Sequence, residues 1–113
     1  MPVRVGFTQF RKEMLERELE GVQNVLPSLG VEKVILTGDM VTGDFAPDSR
    51  IDLIVIQNTE LSFGRRADFF SFHFDTTVAV DTQVYTPEEF ETLSETLPAL
   101  YQACKEGRVI FDA

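Results

Sequence analysis

The sequence predicts an α/β (α+β) domain in which a mixed central sheet of about four strands is flanked by helices. Three observations predict it: a long stretch with helical periodicity at the start, two short apolar runs near the middle, and a clear helix start followed by a short apolar run near the end. Helices and strands that alternate along a chain typically form a sheet covered by helices on at least one face. No linker or repeat interrupts the alternation, so we expect a single domain over residues 1–113.

The first predicted element is a helix between Thr8 and Gly30. Its apolar residues recur with a period close to 3.6: Phe10, Met14, Leu15, Leu19, Val22, Val25, Leu26 and Leu29. Thr8 is the predicted N-cap, because its hydroxyl can accept a hydrogen bond from the first turn, and Gly30 is the predicted terminator. Pro27 should kink or tighten the last turn.

The two apolar runs, VEKVILTG at 31–38 and IDLIVIQ at 51–57, are predicted to be strands at the centre of the sheet. A loop rich in Gly, Pro and Asp separates them. Residues 65–74 fit two patterns, since Phe70, Phe72 and Phe74 alternate as in a strand, whereas Phe69, Phe70 and Phe74 share one helical face. We favour a helix there, followed by a third strand in TVAVDTQVYT at 77–86.

The strongest local signal is the sequence Thr86-Pro87-Glu88-Glu89. It predicts a capping box with proline at the first helical position. Pro98 opens a further helix, PALYQACKE, which Gly107 ends before a short fourth strand, VIF.

Composition restricts the function. Hydrophobic residues make up 43% of the chain, which excludes a disordered protein. The formal net charge of −9 disfavours non-specific nucleic-acid binding and anionic membranes, whose recognition needs clustered Lys and Arg. One cysteine allows no internal disulfide, and the N-terminus lacks the apolar run of a signal peptide, so we expect a cytoplasmic protein with no membrane segment.

Several side chains have an ordinary structural interpretation. His73 and Cys104 are expected to be packed or surface residues, and Arg65-Arg66 to be a helix start or a surface pair. Asp44 and Asp48 suit a solvated turn. The ten phenylalanines exceed what a small core usually needs. We expect some of them to form an exposed apolar patch that binds a partner or a second copy of the chain, as a homo-oligomer would require.

Three carboxylates fall at or near strand ends and are stronger candidates for a site. Asp39 follows the first strand, Asp52 opens the second, and Asp81 lies within the third. If these strands are neighbours, the acids meet at one edge of the sheet, where carboxylates could hold Mg²⁺ for phosphoryl-group chemistry. An unpaired carboxylate buried in an apolar strand is costly, which favours a site role for Asp81.

These residues carry a resemblance. The stretch 38–52 begins with Gly38 and one further residue, continues with ten more, and ends with Arg50-Ile51-Asp52. This pattern resembles the signature of the minimal nucleotidyltransferases of the DNA polymerase beta superfamily, which is Gly-Ser, ten residues, Asp-x-Asp. Gly43 in the loop, Asp81 in the later strand and the ending ACKEGRVIF are also similar, so the likeness covers residues 8–111. It implies a nucleotidyltransferase fold, with the nucleotide at Gly38, Asp39, Gly43 and Arg50. In that family, Asp-x-Asp and the later acid hold two Mg²⁺ and an NMP group passes to a hydroxyl.

The sequence departs from the family at the residues that do the chemistry. Asp39 replaces the serine, Arg50 replaces the first metal-binding aspartate, and Thr42 replaces a basic residue. Of the family's catalytic and metal-binding acids only Asp52 and Asp81 remain, so metal binding there is expected to be weak or absent. No cofactor is expected unless the protein is active, in which case it would be Mg²⁺. Arg50 could pair with Asp39, Asp52 or Asp81 to form a metal-free ion-pair network.

Three functions stay open. The favoured one is a catalytically degenerate nucleotidyltransferase-fold protein that acts through a protein partner, because small members of the superfamily are commonly encoded beside a helical HEPN-type protein in toxin–antitoxin-like or regulatory modules. The second is an active Mg²⁺-dependent enzyme that moves an NMP group from an NTP to a hydroxyl of a protein or small molecule. The third is a metal-free nucleotide or anion binder that uses Arg50 with Arg65 and Arg66.

Overall fold

The computed structural model describes the backbone of residues 2–113 and the side chains of residues 6–113. Its elements are α1 (Pro2–Val25), a 3₁₀ turn (Leu26–Ser28), β1 (Lys33–Thr37), α2 (Asp39–Thr42), β2 (Ile51–Ile56), α3 (Phe63–His73), β3 (Val80–Tyr85), α4 (Pro87–Glu91), α5 (Leu93–Thr96), α6 (Pro98–Glu106) and β4 (Arg108–Asp112). The helix predicted around residues 65–74 and the four predicted strands are all present.

The four strands form one mixed sheet in the order β3-β2-β1-β4. β1 is antiparallel to both β2 and β4, whereas β2 is parallel to β3. A parallel pair needs a crossover connection, and α3 supplies it between β2 and β3. β1 and β2 are therefore the two central strands, as predicted.

Side chains from the sheet enter a separate apolar cluster on each face. The larger cluster contains α1 and α3 residues such as Leu15, Leu19 and Phe70, packed with Leu53 and Val55 of β2. The smaller cluster contains Ile35, Ile54, Tyr85 and Leu93, with the partly buried Phe90, Leu100, Tyr101 and Cys104 against it. Because the two central strands are buried on both faces, their sequences are nearly continuous apolar runs rather than alternating ones.

The start of the first helix differs from the prediction. α1 begins at Pro2, so Thr8 lies inside the helix and the prediction that it is the N-cap is wrong. Proline is compatible with the first helical position, because its missing N–H has no partner in the first turn in any case. The other end is as predicted: Pro27 lies in the 3₁₀ turn that follows α1, and Gly30 has a positive φ of 70°.

The C-terminal signals are confirmed. The backbone N–H of Glu89 donates to Thr86 Oγ1 at 3.2 Å, and the N–H of Thr86 donates to the Glu89 carboxylate at 2.8 Å, which completes the capping box.

The short helices α2 and α5 were not predicted, because four residues are too few to show a period. Among the helices that the structure describes, none is long and apolar enough to cross a membrane.

Candidate functional site

Asp52 and Asp81 lie side by side, because β2 and β3 pair in parallel with these two residues as direct Cα partners. Thr37 of β1 is the partner of Asp52 on its other side, so three polar side chains cross the sheet in one row. Contrary to the expectation from its apolar strand, Asp81 is not buried: its side chain is 46% exposed because β3 is an edge strand. Desolvation cost therefore gives no support to a site role for Asp81.

The Arg50 side chain reaches both of these carboxylates. Its Nε donates to Asp52 Oδ1 at 2.8 Å, and its Nη2 lies 3.9 Å from Asp81 Oδ2. The hydrogen bond to Asp52 and the charges of Asp52, Asp81 and, least, Asp39 raise the pKa of Arg50 above its ordinary value. A permanent positive charge is therefore held beside two negative ones at the edge of the sheet.

Asp39 faces a different partner. Its carboxylate accepts a hydrogen bond from Ser49 Oγ at 2.7 Å, and the same hydroxyl accepts from the backbone N–H of Ala46 at 2.8 Å. Ser49 is buried, and its carbonyl accepts from Arg11 Nε of α1 at 2.8 Å. These contacts fasten the loop before Arg50 to both α1 and α2. Nothing in the sequence distinguishes Ser49 beyond its place in a turn, so its contact with Asp39 was not predicted.

Gly38 makes room for the Asp52 carboxylate. Its φ of 78° and ψ of −151° lie in a region that residues with a Cβ essentially do not occupy. A Cβ on Gly38 would also collide with Asp52 Oδ2 and lie 3.2 Å from Asp52 Cγ. Gly43 has a φ of 84°, and its N–H donates to the Asp39 carbonyl at 2.9 Å to end α2. Both glycines of the resemblance thus have a structural reason to be glycine.

We expect Gly38→Ala to lower the free energy of unfolding by about 2–3 kcal/mol, because it adds backbone strain and displaces Asp52. Urea unfolding followed by circular dichroism measures it. Gly43→Asn is the matched control, since asparagine tolerates a left-handed backbone and nothing lies within 4 Å of a Cβ there. Equal losses from the two substitutions would contradict the close approach of Gly38 to Asp52.

The cluster does not fit a divalent metal. Mg²⁺ takes oxygen ligands in near-octahedral geometry, whereas a guanidinium offers only hydrogen-bond donors. Within the described residues, no three His, Cys, Asp or Glu side chains are grouped so that they could hold a metal ion. Asp52 and Asp81 converge on Arg50 rather than on a third acidic ligand.

Arg66 is not the surface residue that the sequence suggested. Its side chain is buried and donates to the carbonyls of Leu61 at 2.9 Å and Val84 at 3.1 Å, and to both oxygens of Glu89 at 2.6 and 3.3 Å. Both arginines lie in the first turn of α3, so the helix-start alternative is confirmed. Arg65 is exposed whereas Arg66 is buried, so the surface-pair alternative is wrong for Arg66. Since all these donors are engaged, Arg66 is not available to an anion beside Arg50.

The two remaining reactive side chains have structural roles. His73 is exposed, and its Nδ1 lies 2.8 Å from the carbonyl oxygen of Phe69, one turn earlier in α3. Cys104 is half-buried against the smaller cluster, where burial raises the pKa of its thiol. Because a thiol with a raised pKa is a poor nucleophile, Cys104 does not indicate a second reaction centre.

The chain matches no protein-family model and no curated protein. In fold it is similar to a provisionally assigned nucleotidyltransferase from Sulfolobus solfataricus, known from its crystal structure, with a TM-score of 0.55 and 17% sequence identity. The match covers 96% of this chain and 86% of the other. At this identity the similarity concerns the fold: a nucleotidyltransferase fold with a four-stranded mixed sheet flanked by helices.

Proposed function

We propose that this nucleotidyltransferase-fold protein is catalytically degenerate and acts by binding a protein partner. The observation that carries the proposal is the contact of one guanidinium, that of Arg50, with both Asp52 and Asp81. In the resembled family these positions belong to the metal-binding set. A cation fixed to the chain between these acids competes with any ion from solution for the same carboxylate oxygens.

Electrostatics supports the loss of nucleotide transfer. Replacing a carboxylate by a guanidinium changes the local formal charge by two units, and a divalent ion feels twice the repulsion of a monovalent one. Asp39 adds a negative charge where the family places the serine that contacts the triphosphate. A triphosphate approaching this end of β1 would meet a carboxylate already held in place by Ser49. Both substitutions therefore oppose the two-metal reaction.

The partner is the part of the proposal that rests on the resemblance. Small proteins of the resembled superfamily are commonly encoded beside helical HEPN-type proteins, and we propose a role of that kind, in a toxin–antitoxin-like or regulatory module. The net charge of −9 supports a partner with a basic surface, because complementary charge speeds encounter and disfavours wrong partners.

Calorimetric titration of the protein with MgATP tests whether the protein has lost the ability to bind a metal–nucleotide complex. We expect no saturable binding up to about 1 mM nucleotide, because neither the metal nor the triphosphate has a complementary site. Micromolar binding of MgATP would contradict the proposal and favour the active transferase, which transfer of labelled nucleotide to an acceptor would then establish.

A second candidate, the metal-free anion binder, is favoured by one observation: the Arg50 side chain is 57% exposed despite its contacts with the two acids. The same titration with EDTA in place of Mg²⁺ distinguishes it. Binding of ATP that survives EDTA and is lost in Arg50→Asp would support the anion binder over the degenerate protein.

A further inference from the structure

An open apolar groove lies on the sheet face that carries the smaller cluster. Two adjoining cavities of about 490 and 540 Å³ form it and share Gln83, Tyr85, Thr96 and Leu97. Leu97 is 45% exposed, and Phe63 packs on Tyr85 at one end with ring centroids 5.3 Å apart. We call this the α5 groove, because α5 and the residue that follows it form one wall.

The surroundings of the α5 groove are acidic. Four acids belong to the helices α4 and α5 that border it, and one of them, Glu89, is paired with Arg66. Glu89 lines the groove, and Glu88, Glu91 and Glu95 belong to the same two short helices, α4 and α5. None of the three ion pairs among the described residues includes Glu88, Glu91 or Glu95. An occupant of this groove should therefore be apolar and basic.

The N-terminal half of α1 has this chemistry. In sequence, residues 1–12 contain Arg4, Arg11 and Lys12 and no acid, whereas the rest of the chain is strongly acidic. Phe7 and Phe10, three positions apart and so close to one face of the helix, are 61% and 59% exposed.

This half of α1 adds little to the core of its own domain. From residue 6 onward, where the side chains are described, Leu15 is the first α1 residue in the buried cluster, and Met14 only packs against it. With 24 residues α1 is about 36 Å long, a large part of the 48 Å longest dimension of the protein. Two large aromatic side chains are thus exposed to water near the end of α1 whose sequence is basic.

We propose that the α5 groove binds the N-terminal half of α1 from a second copy of this chain. Phe7 and Phe10 enter the groove around Tyr85 and Leu97. Arg11 keeps its contact with the Ser49 carbonyl, so the net positive charge of residues 1–12, rather than a single ion pair, complements the acids of α4 and α5. This is the helix-in-groove mode of recognition, in which apolar anchors supply affinity and the charged rim supplies orientation. The self-association goes beyond the proposed function and does not depend on it.

A single docked helix end buries less surface than a stable dimer usually needs, so we expect a reversible complex with a Kd on the order of 10 µM. Sedimentation velocity of the full chain between about 5 and about 200 µM measures it. The Kd should rise about tenfold between low and high salt, because the charges at the rim are screened. A wild-type chain that stays monomeric throughout this range would overturn the proposal.

Variants locate the two surfaces. Phe7→Ser/Phe10→Ser removes the anchors, and Leu97→Asp places a charge in the groove; each should raise the Kd at least about tenfold. Glu95→Lys reverses a rim charge at an exposed position and gives a second groove variant if Leu97→Asp fails to fold. Phe72→Ser is the matched control, since Phe72 is 86% exposed on α3 and belongs to neither surface. An equal loss in the control would overturn the assignment.

Mixing the two variants is the decisive experiment. A Phe7→Ser/Phe10→Ser chain retains an intact groove, and a Leu97→Asp chain retains an intact helix. Each alone should be monomeric, whereas their mixture should form a heterodimer through one intact contact. If the mixture stays monomeric while both variants keep the circular dichroism spectrum of the wild type, the second copy does not dock in this groove.

Discussion

Replacing Arg50 by Asp is expected to raise the affinity of the protein for Mg²⁺. The substitution removes the guanidinium from Asp52 and Asp81 and adds a third carboxylate beside them. Because the local charge changes by two units, we expect divalent-ion binding to tighten by about tenfold or more. Calorimetry with Mg²⁺ and paramagnetic resonance with Mn²⁺ both measure it.

Arg50→Met separates the loss of the guanidinium from the gain of a carboxylate, since it removes the cation without supplying a metal ligand. We expect divalent-ion affinity to rise in the order wild type, Arg50→Met, Arg50→Asp. A variant series with no change would mean that the guanidinium does not control these acids. Loss of nucleotide binding in Arg50→Asp, without any gain of metal binding, would instead identify an anion site.

Replacing Arg66 by Met is expected to lower the free energy of unfolding by about 3 kcal/mol. The substitution leaves the buried carbonyl of Val84 and the part-buried carbonyl of Leu61 without their donor and removes the ion pair with Glu89. In a domain of this size the melting temperature should fall by roughly 10 °C, measured by calorimetry or thermal circular dichroism. Arg65→Met, one position earlier and exposed, is the control and should change stability by less than about 0.5 kcal/mol.

Acid unfolding provides an independent readout of the same network. The hydrogen bond from Arg66, followed by the backbone N–H of Thr86, lowers the pKa of Glu89 below its ordinary value of 4.5. A carboxyl whose pKa is lowered by folding stabilises the folded state fully above the unfolded pKa and loses this contribution as the pH falls through the folded pKa. Arg66→Met should therefore weaken the dependence of stability on pH below about 4.5. Identical pH curves for variant and wild type would contradict this role of the pair.

The parts of the fold that the sequence predicted well depend on local chemistry or on complete burial. The Thr86–Glu89 capping box uses groups within four residues of each other, so it can be recognised without the rest of the chain. β1 and β2 have almost no polar positions because both faces of the sheet are covered. The row formed by Asp52 and Asp81 followed from their places on neighbouring strands, and the register brings them together.

The parts that were missed depend on contacts between distant segments. Arg66 is buried because the carbonyls of Leu61 and Val84 and the Glu89 carboxylate converge on it, which an Arg-Arg pair in a sequence does not reveal. Asp81 looked buried because its neighbours are apolar, but burial is decided by the position of β3 at the sheet edge.

The cation that faces Asp52 and Asp81 is part of the polypeptide, and this sets how the cluster responds to its surroundings. Arg50 is two residues from Asp52, so its effective concentration there is fixed by the reach of a side chain and not by supply from solution. Chelators, dilution or a change in cellular magnesium cannot remove it. The cluster is thus constitutive: its cation is present wherever the chain is folded, and its formation does not depend on a supply of ions.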